Sequence, residues 1–136
     1  MIKFELNKGG SKIEIEKILK RLEKGISSEF KKSGVISIAI VSSSAVKKLN
    51  KQYRKKDKAT DILTFVLNEN DCLGEIILSP KDIARRAKAM GKTLQETAAF
   101  LIVHGILHIM GYTHKKNHDT AKMESKEKKL LKKLNL

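Results

Sequence analysis

With 136 residues and 40% hydrophobic content, the chain has material for one ordinary core, and a single domain over residues 1–136 is expected. Its 29 Lys+Arg against 15 Asp+Glu give a formal charge of +14, which favours polyanionic partners, nucleic acid first. An aromatic content of 4% argues against a sheet that stacks many bases, one cysteine excludes an internal disulfide and suits a reducing cytoplasm, and the absence of an apolar leader or an unbroken apolar span predicts no membrane partner.

In chain order, Ile2–Leu6 alternates apolar and polar residues and predicts a strand. A turn follows at Asn7-Lys8-Gly9-Gly10. Ser11-Lys12-Ile13-Glu14 has the form of a capping box, and Ile15, Ile18, Leu19, Leu22, Ile26 and Phe30 mark one apolar helical face behind it. Val35–Val41 is rich in β-branched residues and predicts a buried strand. Ser42-Ser43-Ser44 caps a short helix carrying Val46, Leu49 and Tyr53. After the charged run Lys55-Lys56-Asp57-Lys58, Ile62–Leu67 and Leu73–Leu78 predict two strands around the turn Asn68–Asp71. Cys72, between turn and strand, is expected to be a small buried apolar residue.

Ser79-Pro80 opens a helix, with proline at the first position where its missing N–H costs nothing, and Gly91 closes it. Thr93-Leu94-Gln95-Glu96 is a second capping box. The helix it opens is apolar on most sides and should be the buried centre of the fold. A last helix is expected from Thr120 to Leu134. The order β-α-β-α-β-β-α-α-α predicts an α+β domain: a mixed sheet of about four strands, packed helices and a central buried helix that bears histidines.

All four histidines lie between residues 104 and 118. His104 and His108 are four apart, one helical turn, so both imidazoles can reach one ion. Gly111 offers a left-handed helix stop, after which the chain can return His114 as a third ligand. Three neutral nitrogen donors suit zinc with one position left open, although nickel, copper and iron accept the same set. His118, beside Asp119, is expected on the surface or at a helix start. From Lys47 to Lys58 the chain holds seven cations and one acid, and Lys47, Lys51, Lys55, Lys56 and Lys58 are candidates to follow an RNA backbone.

The histidine spacing resembles the metzincin peptidase pattern HExxHxxGxxH except that Gly105 stands where that pattern has its general base. The likeness is therefore to the metal geometry and a zincin-like fold, not to peptidase chemistry. A second family fits over more of the chain. HGILHIMGYTH, residues 104–114, is similar to the HGxLHLxGYDH signature of the YbeY family of metal-dependent endoribonucleases, which act in rRNA maturation and ribosome quality control in bacteria. Leu49-Asn50 and the run from Tyr53-Arg54 to Thr64-Phe65 resemble that family's LN..YR.KD..TDVLSFP block. Leu73–Ser79 resembles LGDIxIS, and Met123-Glu124 with Glu127 follow the histidines as in the family. Thr113, Glu75 and Val66 depart from the family's Asp, Asp and Pro.

The resemblance implies a zinc-dependent endoribonuclease specific for single-stranded RNA, acting on rRNA, including the 3′ end of 16S rRNA, with the ribosome and ribosomal or GTPase assembly proteins as partners. It assigns one Zn2+ to His104, His108 and His114. It gives Arg54 the task of holding phosphate oxygens and stabilising charge that grows in the transition state. Asp61 and Tyr112 are expected to support the site from behind the ligands. Two other functions fit the composition less well: a zinc hydrolase of peptides or small amides, and a non-enzymatic ribosome-associated RNA-binding factor with a structural zinc.

Overall fold

The computed structural model describes residues 1–54, 62–113 and 116–134, with the side chain of Arg54 outside that set. The elements are β1 (Ile2–Asn7), α1 (Glu16–Glu29), β2 (Gly34–Ile40), α2 (Ser43–Arg54), β3 (Ile62–Glu69), β4 (Cys72–Leu78), α3 (Pro80–Met90), α4 (Leu94–Ile109) and α5 (Asn117–Leu134). The four strands form one mixed sheet in the order β1-β2-β4-β3, so the expected α+β architecture is what the chain adopts. β1 and β2 are parallel through α1, β2 and β4 are parallel, and β3 returns antiparallel to β4 as an edge strand. The β3–β4 hairpin turns at Asn70 and Asp71, whose φ values of 47° and 65° are those a two-residue type I′ turn requires.

One sheet face and the helices α1, α4 and α5 enclose the main core, in which Ile36, Ile38 and Ile76 meet Leu22, Ile102 and Leu130. The other face carries a smaller cluster of Val46 from α2 with Leu63 and Ile77. α4 is buried around most of its circumference, as its unbroken apolar composition requires. It lies close to the sheet at two glycines. A Cβ on Gly74 would stand 2.6 Å from the Phe65 carbonyl oxygen and 2.7 Å from Ile109 Cδ1, and one on Gly105 would stand 3.0 Å from Ile76 Cδ1.

Most helix ends follow the local signals. Ser79 caps α3 and accepts from the Asp82 N–H, and Thr93 and Glu96 complete a reciprocal capping box on α4. Gly91 and Gly111 both take left-handed φ and close Schellman motifs: Lys92 N–H donates to Ala87, and Tyr112 N–H to Leu107. Two starts differ. α1 begins at Glu16, not at a Ser11 capping box, because the Ser11 hydroxyl accepts from Ile13 two residues on, at 3.3 Å. The Lys8 ammonium holds that loop, donating to the Ile13 carbonyl at 3.0 Å and pairing with Glu16 at 2.6 Å. α5 begins at Asn117, three residues before the expected start, and its first turn holds an exposed His118 paired with Asp119 at 3.1 Å. Cys72 is half-buried, and its thiol faces the Gly74 carbonyl at 3.5 Å.

Among the described residues, no helix is long and apolar enough to cross a membrane.

Candidate metal centre

The helical spacing of four brings His104 and His108 onto one face of α4, with their Nε2 atoms 3.0 Å apart. Each ring is held from behind through Nδ1. His104 Nδ1 donates to Glu127 Oε1 at 2.8 Å, and His108 Nδ1 donates to the Tyr112 carbonyl at 3.1 Å. A carboxylate and a backbone carbonyl only accept, so both Nδ1 atoms carry the ring protons. With the Nδ1 atoms held in this way, both Nε2 atoms face the same side of α4 across 3.0 Å, where one cation can meet the two of them.

The separation suits one ion. Two nitrogens bound tetrahedrally to zinc at about 2.05 Å are roughly 3.3 Å apart. The support from behind the rings is also what a metal site uses, since a carboxylate or carbonyl on the second ring nitrogen fixes tautomer and orientation. The donor set therefore fits a zinc ion held by His104 and His108. Among the described residues these two stand without a third histidine, cysteine or carboxylate in metal-binding position. His114, expected as the third ligand, lies outside the described residues.

The surroundings of each ring come from distant parts of the chain. α5 packs on α4 and delivers Glu127, which is 8% exposed. Phe100 stacks on His104 with ring centroids 6.3 Å apart. The Tyr112 ring meets Phe30 edge-on at 6.3 Å, so Tyr112 supports the site with its carbonyl rather than with its phenol. Glu127 had no role assigned from the sequence. The signal for it was present: Met123, Leu130 and Leu134 form the buried stripe of α5, and Glu127 is an acid inside that stripe.

Of the other candidates, Lys47 and Lys51 lie on the exposed side of α2, and Arg54 is the last residue of that helix. Lys55, Lys56, Lys58 and Asp61 lie outside the described residues. Gly105 occupies the position of the peptidase glutamate, and its open side is closed by the sheet. A Cβ there would meet Ile76 at 3.0 Å and Thr64 Oγ1 at 3.1 Å, so a larger side chain requires those two side chains to give way.

A mixed four-stranded sheet with a buried helix that presents two imidazoles, one backed by a carboxylate, defines an α+β protein of the zincin-like kind. The family model described as Endoribonuclease YbeY matches residues 2–135, and the chain belongs to that family. It is 39% identical over 108 residues to the Endoribonuclease YbeY of Carboxydothermus hydrogenoformans, across 77% of this chain and 76% of that protein. Identity to the protein of the same name from Nitrosomonas eutropha is 40% over 113 residues, covering 82% and 80% of the two chains. The fold matches the solution structure of a Thermotoga maritima protein with a TM-score of 0.73 and 31% identity, over 98% of this chain and 89% of that one.

Proposed function

We propose that this chain is a zinc-dependent endoribonuclease that hydrolyses single-stranded RNA in the cytoplasm, acting on rRNA in maturation and ribosome quality control. The observation that supports the metal part is the pair of facing Nε2 atoms, 3.0 Å apart, with each Nδ1 held from behind by an acceptor oxygen. The RNA part is supported by the names of the relatives and by the +14 charge.

When bound, zinc would supply a Lewis acid for a phosphodiester oxygen or for the attacking water. The residues of the chain hold and orient. Glu127 fixes the His104 ring and balances part of the charge brought to it, and the Tyr112 carbonyl fixes His108. Arg54 is the group proposed to clamp phosphate oxygens and to oppose the negative charge that grows as the phosphorus is attacked. Lys47 and Lys51 on α2 would lead the RNA backbone toward that arginine.

Gly105 counts against peptide hydrolysis, since it supplies no carboxylate base and its surroundings at Ile76 and Thr64 are tight. A purely structural zinc would call for four protein ligands. Cys72 faces the Gly74 carbonyl and His118 pairs with Asp119, so neither is offered to His104 and His108.

The test is cleavage of a labelled single-stranded rRNA fragment by metal-quantified protein, beside His114→Ala and Arg54→Glu. Metal-dependent cutting lost in both variants is expected. Salt-sensitive binding with equal or no cutting in all three proteins would overturn the enzymatic reading in favour of a binding factor.

A further inference from the structure

A cavity of about 260 Å³ opens on the sheet face opposite α4, between α2, β3 and β4. Leu49, Tyr53, Phe65, Leu67 and Ile77 make it apolar, and Glu75 supplies the charge among its described lining residues. The Tyr53 and Phe65 rings meet at 77° with centroids 5.5 Å apart, an open aromatic corner. Tyr53 is 60% exposed and Leu67 41%, so the apolar surface reaches the rim. A contiguous patch of this kind on a highly charged protein marks a binding surface.

We infer that this cavity is a guanine-binding subsite for single-stranded RNA, an inference that rests on the endoribonuclease reading. The volume suits one base more than a length of backbone, lying just under the range of roughly 300–1,000 Å³ for drug-sized ligands. Glu75 would repel a phosphate, whereas the exposed Lys47, Lys48 and Lys51 on α2 attract the backbone, so the base enters and the phosphates stay outside. Unpaired bases in single strands are read by stacking on aromatic rings and by hydrogen bonds to their Watson–Crick edges. Tyr53 and Phe65 provide the stacking surface. The carboxylate accepts from two donors at once only on guanine, through N1–H and N2–H. Adenine and cytosine each set one acceptor nitrogen against it.

The cavity is joined to the histidine helix through β3. Thr64 and Phe65 are consecutive, so their side chains leave opposite faces of the strand. Thr64 Oγ1 is the atom a Gly105 Cβ would meet at 3.1 Å, and Phe65 lines the cavity. β3 is an edge strand, so α4 and the cavity lie on opposite sheet faces beside one open edge, around which a single strand of RNA can pass.

The experiment measures binding of a fluorescein-labelled uridine oligomer to the full chain by anisotropy, at fixed salt. It is repeated with one central guanosine, adenosine or cytidine. Guanosine should tighten binding roughly tenfold, as a bidentate base contact does. Glu75→Gln keeps the shape of a half-buried side chain, and folding is checked by circular dichroism. Its amide offers one donor and one acceptor, a pattern that every base can meet, so the preference for guanosine should be lost. Equal affinity for all four oligomers, or a guanosine preference unchanged in Glu75→Gln, would overturn the subsite. The two readings separate cleanly: cleavage without base preference leaves the nuclease standing and removes the subsite, and a guanosine preference lost in Glu75→Gln, without cleavage, does the reverse.

Discussion

Glu127, a carboxylate inside the apolar stripe of α5, accepts a hydrogen bond from His104 Nδ1 at 2.8 Å across the α4–α5 contact. The bond joins residues 23 apart in sequence and turns the other ring nitrogen, Nε2, toward His108. Glu127→Ala should weaken zinc binding about 10–100-fold, the usual cost of losing a partner behind a metal-binding histidine. Glu127→Gln, which still offers an acceptor oxygen, should retain more. Competition against a chromophoric chelator measures both, and equal affinity in all three proteins would remove Glu127 from the site.

His114→Ala should abolish stoichiometric zinc while the far-ultraviolet circular dichroism of the chain stays the same. The core of the described residues packs through α1, α4, α5 and the sheet. Full zinc content in the purified variant would contradict a ligand role for His114.

Gly74→Ala should destabilise the chain by about 1–3 kcal/mol, the range for overpacking a tight interior. The new methyl would meet the Phe65 carbonyl at 2.6 Å, and a backbone atom in a strand pair gives way poorly. Gly105→Glu, which restores the peptidase pattern, should likewise lower the midpoint of urea unfolding and confer no peptide hydrolysis. A stable, proteolytic Gly105→Glu protein would refute the packing argument.

The α1–α5 contact should show in the acid limb of stability. Glu29 receives the Lys126 and Lys129 ammoniums, which lower its pKa from the usual 4.5 to about 2. A depressed carboxylate stabilises the fold above its unfolded pKa, and that contribution is lost as pH falls from about 4.5 to about 2. On the basic side the same pair raises Lys126 above 10.5, so its contribution is present below that value and is lost as pH rises through the folded pKa. Chemical denaturation of Glu29→Gln should show a flatter stability profile between pH 4.5 and 2 than the unaltered chain; superimposable profiles would argue against the linkage.

RNA affinity should fall steeply with salt, because lysine–phosphate contacts release counterions. A flat dependence would disprove the role of the +14 surface in binding.

Much of this protein could be read locally. The α3 start at Ser79-Pro80, the Thr93–Glu96 box and the glycine stops at 91 and 111 all close hydrogen bonds within five residues, so residue types in order suffice to place them. The His104–His108 pair is of the same kind, because one helical turn puts both rings on one face. Even local signals fail when a remoter group intervenes: the Lys8 ammonium holds the Ser11 loop and moves the α1 start to Glu16.

The tertiary structure decided the contacts between segments. That Glu127 rather than Glu124 supports His104, that Tyr112 serves through its carbonyl, and that Gly105 faces Ile76 depend on how α5 and the sheet pack on α4. The aromatic corner of Tyr53 and Phe65 beside Glu75 likewise exists only once α2 lies across β3 and β4. Periodicity states which face of an element is apolar. The angle and register at which two such faces meet are set by interdigitation of side chains from distant parts of the chain, and no single segment contains that information.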